Sequence, residues 1–124
     1  MGDELSVTVR REHGIVIAEV TGDMDLSTAA PLREHLFDLA DSGQPVIVDL
    51  NRITFIDSAG LGVLIGVARR ADEHGGSLHA VCSRPQTRKL LWLTGVDRRI
   101  PLAATVDGAL MYQALSRNGS GSGT

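Results

Sequence analysis

Apolar and polar side chains alternate at the start of the chain, Leu5, Val7 and Val9 against Ser6, Thr8 and Arg10. A period of two puts each set on its own face of a strand, which predicts a half-buried β-strand. A second strand, Ile15 to Thr21, follows, and the polar Arg11-Glu12-His13-Gly14 between them predicts an antiparallel hairpin. From about Ser27 the period lengthens: Leu32, Leu36 and Leu39 fall at i, i+4 and i+7, with Phe37 and Ala40 widening the stripe. That spacing is an amphipathic helix. Ser27 or Thr28 is its expected N-cap, Pro31 is tolerated in the first turn, and Gly43 is the expected terminator.

Val46-Ile47-Val48-Asp49-Leu50 is a short apolar run, the pattern of a central strand covered on both faces. Leu61, Leu64, Ile65, Ala68 and Ala71 mark a second helix from Ser58 to His74, closed by Gly75-Gly76. Leu78 to Cys82 predicts another strand, Pro85 opens a third helix that ends before Gly95, and Thr105 caps a fourth that runs to about Leu115. Ile100 to Leu102 is at most a short strand. This order predicts an α/β domain: a mixed, largely parallel sheet with an N-terminal antiparallel hairpin and about four helices packed on it. The domain is expected to span 1–117, with 118–124 a disordered Gly/Ser tail.

Composition narrows the function. A chain of 124 residues that is 43% hydrophobic fills one core without disulfide or metal, and its lone Cys82 has no internal partner for a bridge. The net charge of −3 and a pI near 5.7 argue against direct nucleic-acid binding. The four aromatics, Phe37, Phe55, Trp92 and Tyr112, give no base-stacking platform. Met1 to Arg10 lacks the features of a leader, and no apolar run approaches the roughly 18 residues that span a bilayer, so a cytoplasmic protein without membrane insertion is expected.

The informative segment runs from Ile53 to Gly66. It enters a helix with Gly60, Gly62 and Gly66 near its start, which opposes helix formation by about 2–3 kcal/mol in all. Close packing of Gly62 and Gly66 against a neighbour is one explanation, and a first turn left bare at Gly60 for a partner is another. Ser58 sits where an N-cap belongs, its hydroxyl placed to accept from the amide of Gly60 or Leu61. Phosphate at this place would add roughly −1.5 to −2 charges beside the positive end of the helix dipole.

Enzymatic readings find no support in the motifs. Gly-x-Ser-x-Gly fails around Ser58, where Ile56 takes the first glycine's place. His13, His35, His74 and His79 have no ligand-like spacing, and neither a dinucleotide fingerprint nor a P-loop is present. No catalytic residue, metal site or cofactor is expected.

Asp57-Ser58-Ala59-Gly60-Leu61-Gly62-Val63-Leu64 resembles the signature of STAS domains, in particular the bacterial anti-sigma factor antagonists. Gly22-Asp23-Met24-Asp25 is similar to the family's Gly-x-apolar-Asp loop, and Val48-Asp49-Leu50 leading to Ile53-Thr54-Phe55-Ile56 extends the likeness. The resemblance implies a regulator and no enzyme. Such an antagonist binds an anti-sigma factor with serine kinase activity, so that a sigma factor is released. Phosphorylation by that kinase ends the interaction, and a PP2C-type phosphatase restores it. ATP and metal would belong to those partners.

Carried over position by position, Ser58 matches the phosphorylated serine, Asp57 its acidic neighbour and Asp25 the acidic loop residue near the same face. Ala59 stands where a second serine is common, leaving Ser58 the one acceptor in the motif. The implied docking face comprises Asp25, Leu26, Ser27 and Thr28 together with Asp57, Ser58, Ala59, Gly60 and Leu61. An alternative reading is a STAS-like adaptor of a stress-signalling scaffold or transporter, in which Ser58 is only a helix cap.

Overall fold

The computed structural model describes residues 4–122, with side chains to residue 116. β1 (Ser6–Glu12) and β2 (Ile15–Met24) form the antiparallel hairpin, in which Glu12 faces Ile15. The two loop residues, His13 and Gly14, both take positive φ, 55° and 77°, as a right-twisted two-residue hairpin turn requires. After α1 (Ala29–Ala40) come β3 (Pro45–Ile56), α2 (Ser58–Glu73) and β4 (Ser77–Val81), then α3 (Pro85–Leu93), α4 (Val96–Arg99), β5 (Leu102–Ala103) and α5 (Val106–Ser122). The strands lie in the order β1-β2-β3-β4-β5, parallel from β2 onward.

One face of the sheet carries the larger core. Val16, Ala18 and Val20 of β2 and Val46, Val48 and Leu50 of β3 pack there with Leu32 and Leu36 of α1, Val63, Leu64 and Val67 of α2, Leu91 of α3 and Val96 of α4. The opposite face is covered by α5, whose Ala109 joins Ile15, Ile17, Ile47 and Val81. The central strands are therefore buried on both sides, which is why Val46 to Leu50 reads as a continuous apolar run.

The helices number five, against about four expected, because Gly95, in left-handed conformation at φ 78°, ends α3 and starts the short α4. A helix of one turn is too short to show a period in sequence. Two expectations change. β3 runs six residues past Leu50, since its register against β2 shifts between Glu19 and Thr21 and again between Gly22 and Asp23. Each shift is a bulge that adds a residue to β3, so its inward positions fall at Leu50, Ile53 and Ile56, three apart instead of two. The backbone of α5 continues to Ser122, into the segment 118–124 predicted as a tail; residues 1–3 and 123–124 lie outside the described residues. Among the described residues no helix is long and apolar enough to cross a membrane.

His79 is buried under α5 in β4, where the Gln113 amide donates to its Nδ1 at 2.6 Å and the Tyr112 ring tilts against it at 5.1 Å. Burial pushes its pKa below the ordinary 6.5. The unfolded chain therefore binds this proton more readily than the native one, so the stability His79 contributes is full above about pH 6.5 and declines as the pH falls below it. Melting temperatures measured between about pH 7 and pH 5 are expected to fall less steeply for His79→Gln than for the parent; identical slopes would remove His79 from the acid response.

Candidate functional site

Parallel strands β2 and β3 end side by side, Met24 opposite Ile56, so the loop after β2 and the first turn of α2 leave the same edge of the sheet. In open α/β sheets this carboxyl edge is where binding surfaces form. The Asp57 amide donates to the Met24 carbonyl at 3.2 Å, tying the two segments together. Asp25 and Asp57 thereby line one shallow depression with Leu26, Ser27 and Phe55.

Asp57 is the N-cap of α2. Its backbone is extended (φ −119°, ψ −170°), and its Oδ1 accepts from the amides of Ala59 at 2.9 Å and Gly60 at 3.2 Å. This corrects the assignment of the cap to Ser58. Either residue type caps well, and a shift of one position leaves no trace in spacing. Ser58 becomes the first helical residue, exposed, with its hydroxyl outside the cap hydrogen bonds.

The opposing loop is held as firmly. Asp25 Oδ1 accepts from the Ser27 hydroxyl at 2.6 Å, the Ser27 amide at 2.9 Å and the Thr28 amide at 3.2 Å. The hydrogen bond from the Ser27 hydroxyl, helped by the two amides, holds the Asp25 carboxyl below its usual range. Thr28 stands at the N-cap position of α1 but makes no side-chain cap bond; its hydroxyl instead donates to the Asp23 carbonyl at 2.9 Å and accepts from the Asp25 amide at 3.0 Å. A negative charge is thus fixed at Asp25 in a loop whose shape is set by its own side chains.

Two apolar side chains stand out of this face: Leu26 is 80% exposed and Phe55 53%. Leu26 belonged to the predicted face and Phe55 did not. Period-two counting from Ile53 buries Phe55, but the bulge at Thr54 turns it outward while Ile56 packs on the core. The usable signal was an aromatic at the end of a strand, just before the Asp-Ser helix start.

Gly60 and Gly62 exchange their expected roles, and Gly66 keeps the packing role expected of it. Gly60 is buried, and a Cβ there would meet Ile56 Cγ1 at 2.9 Å and Met24 Cβ at 3.0 Å, besides striking the Met24 carbonyl oxygen. It serves close approach of the helix to the strand ends, not access for a partner. Gly62 is exposed with nothing within 4 Å of a Cβ, whereas a Cβ on Gly66 would lie 3.3 Å from the Phe37 ring of α1. Of the predicted face, Asp25, Leu26, Ser27, Thr28, Asp57, Ser58, Ala59 and Leu61 are exposed or partly so, and Gly60 turns inward. Among the described residues no three His, Cys, Asp or Glu side chains cluster to hold a metal ion.

A STAS domain family model matches residues 6–109, nearly the whole described chain. The chain belongs to the STAS domain family. This STAS domain is similar to the anti-sigma-B factor antagonist of Bacillus subtilis, 28% identical over 106 residues that cover 86% of this chain and 97% of that one. It is also similar to the anti-sigma-F factor antagonist RsfB of Mycobacterium tuberculosis, 29% identical over 109 residues, 87% of this chain and 88% of that one. An anti-sigma factor antagonist from Mycobacterium paratuberculosis superposes with a TM-score of 0.80 at 28% identity, covering 88% of this STAS domain and 93% of that chain.

The contrast between the two glycines is measurable. Gly60→Ala overpacks the strand ends and is expected to lower stability by about 1–3 kcal/mol. Gly62→Ala meets open space and gains roughly 0.5–1 kcal/mol of helix propensity. Urea unfolding of both variants checks the pair, and a stabilised Gly60→Ala would show that α2 has room to move.

Proposed function

We propose that the chain is an anti-sigma factor antagonist whose docking face is the Asp25–Thr28 loop together with the start of α2, and that phosphorylation of Ser58 switches it off. The observation that carries this reading is the division of labour at the helix start. Asp57 does the capping, so the neighbouring Ser58 hydroxyl is exposed at the head of the helix and is free to be modified without unmaking the fold. The similarity to two anti-sigma factor antagonists, over 86% and 87% of this chain, supports it.

The switch follows from charge. A phosphoserine carries roughly −1.5 to −2 charges at neutral pH. The amides of Ala59 and Gly60, which a phosphate at this helix end would use, already serve Asp57. The new charge therefore stands next to the Asp57 carboxylate, on a face that already carries Asp25, and reaches outward to where the partner is proposed to lie. A surface fitted to a neutral hydroxyl would have to bury that charge unpaired. Affinity falls while the fold is kept. The partner implied is an anti-sigma factor with serine kinase activity, reset by a PP2C-type phosphatase, and the antagonist itself works in the cytoplasm without cofactor or catalysis.

The adaptor reading, with Ser58 only a helix cap, loses its premise because the cap is Asp57. What remains of it is a docking face without a switch.

Titration calorimetry of the cognate anti-sigma factor against the parent, Ser58→Ala, Ser58→Glu and Phe55→Ala separates the two. Ser58→Ala is expected to bind within a few-fold of the parent and Ser58→Glu at least 100-fold more weakly, a loss of about 2.7 kcal/mol. Phe55→Ala is expected to cost about 1–2 kcal/mol as a central apolar anchor. Equal affinity for both Ser58 variants would contradict the switch, and full affinity for Phe55→Ala would move the docking face elsewhere.

A further inference from the structure

The cations of this acidic protein are not spread evenly. Between Ser83 and Leu102 lie Arg84, Arg88, Lys89, Arg98 and Arg99, five of the chain's twelve Lys and Arg residues, against Asp97 alone of its fifteen acidic ones. α3 and α4 gather them. Arg88, Lys89 and Trp92 line an open groove of about 700 Å³ whose far side is Asp97 and Leu102. Trp92 is also a wall of an adjoining depression of about 360 Å³ with Leu93, Asp97 and Arg98.

Trp92 and Leu93 are each 62% exposed, the largest apolar side chains at this end of the molecule to be left in water. Leu91, between Leu90 and Trp92, already anchors α3 in the core, so the fold does not need Trp92 there. Arg88 is held in place by donating to the Cys82 carbonyl at 2.6 Å. An exposed indole beside a positioned arginine and a lysine has the composition of an interface centre, where Trp and Arg are enriched.

We propose that the α3–α4 face is a second docking surface, for an acidic protein segment that carries an apolar side chain. The apolar residue covers Trp92 and Leu93, and the segment's carboxylates meet Arg88, Lys89 and Arg98. Charge complementarity selects this occupant. The chain's net charge of −3 repels a long polyanion such as nucleic acid, and Asp97 within the groove opposes closely spaced phosphates, whereas a peptide places carboxylates on either side of an apolar anchor. The proposal is independent of the switch at Ser58.

Selection of random dodecapeptides displayed on phage against the immobilised chain tests it. Trp92 is the chain's one tryptophan, so its fluorescence reports binding of the selected peptides directly. Enrichment of Asp and Glu around an apolar residue is expected. Affinity should fall at least tenfold in Trp92→Ala and in Lys89→Glu/Arg98→Glu, stay unchanged in Ser58→Glu, and weaken as salt is raised. Melting curves of the variants, whose altered side chains are exposed, establish that they remain folded. An empty selection, peptides without acidic enrichment, or equal binding to Trp92→Ala would overturn the proposal. So would tighter binding of a single-stranded oligonucleotide, or self-association that Trp92→Ala abolishes.

Discussion

The side chain and backbone of Asp57 join three parts of the molecule at one point. Its amide is bound to the Met24 carbonyl at the end of β2, its carboxylate closes the first turn of α2, and its own position is set by the end of β3. Gly60 constrains the same junction sterically, because the helix approaches Met24 and Ile56 too closely for any Cβ. Hydrogen bonding and packing thus specify one placement of Ser58, and both do so without its hydroxyl.

That economy is what suits a site for modification. A hydroxyl buried in a cap bond would couple phosphorylation to loss of about 1 kcal/mol of helix stability. Here the cap bonds come from Asp57, so the phosphorylation proposed for Ser58 would leave them in place. The fixed carboxylate at Asp25, held by Ser27 and Thr28, gives the unmodified face its own negative polarity, while the α3–α4 end is positive. The molecule is therefore polar along its carboxyl edge although its net charge is small.

Much of this was legible in the residues. The alternation of Leu5, Val7 and Val9, the heptad-like stripe Leu32-Leu36-Leu39 and the apolar run Val46 to Leu50 each correspond to a local period, and local periods survive folding. The signature at Asp57 to Leu64 pointed to the family, which the family model over residues 6–109 shows. What escaped depends on relations between distant segments. The bulges in β3 answer to its pairing with β2, and they alone turn Phe55 outward. The roles of Gly60 and Gly62 depend on the rotation of α2 against Met24, which no spacing within the helix reveals. The basic stretch from Arg84 to Arg99 is plain in the sequence, but the exposure of Trp92 beside it depends on how α3 and α4 pack.

Asp57 is the structural residue of the helix start, and the Ser58 side chain takes no part in the cap. Unfolding free energies of Asp57→Ala and Ser58→Ala, measured in urea under identical conditions, test that assignment most directly. Asp57→Ala should lose about 1 kcal/mol, within the 0.5–2 range of an N-cap, and Ser58→Ala should stay within about 0.5 kcal/mol of the parent. The reverse ranking would make Ser58 the cap after all and would contradict the separation of fold from switch.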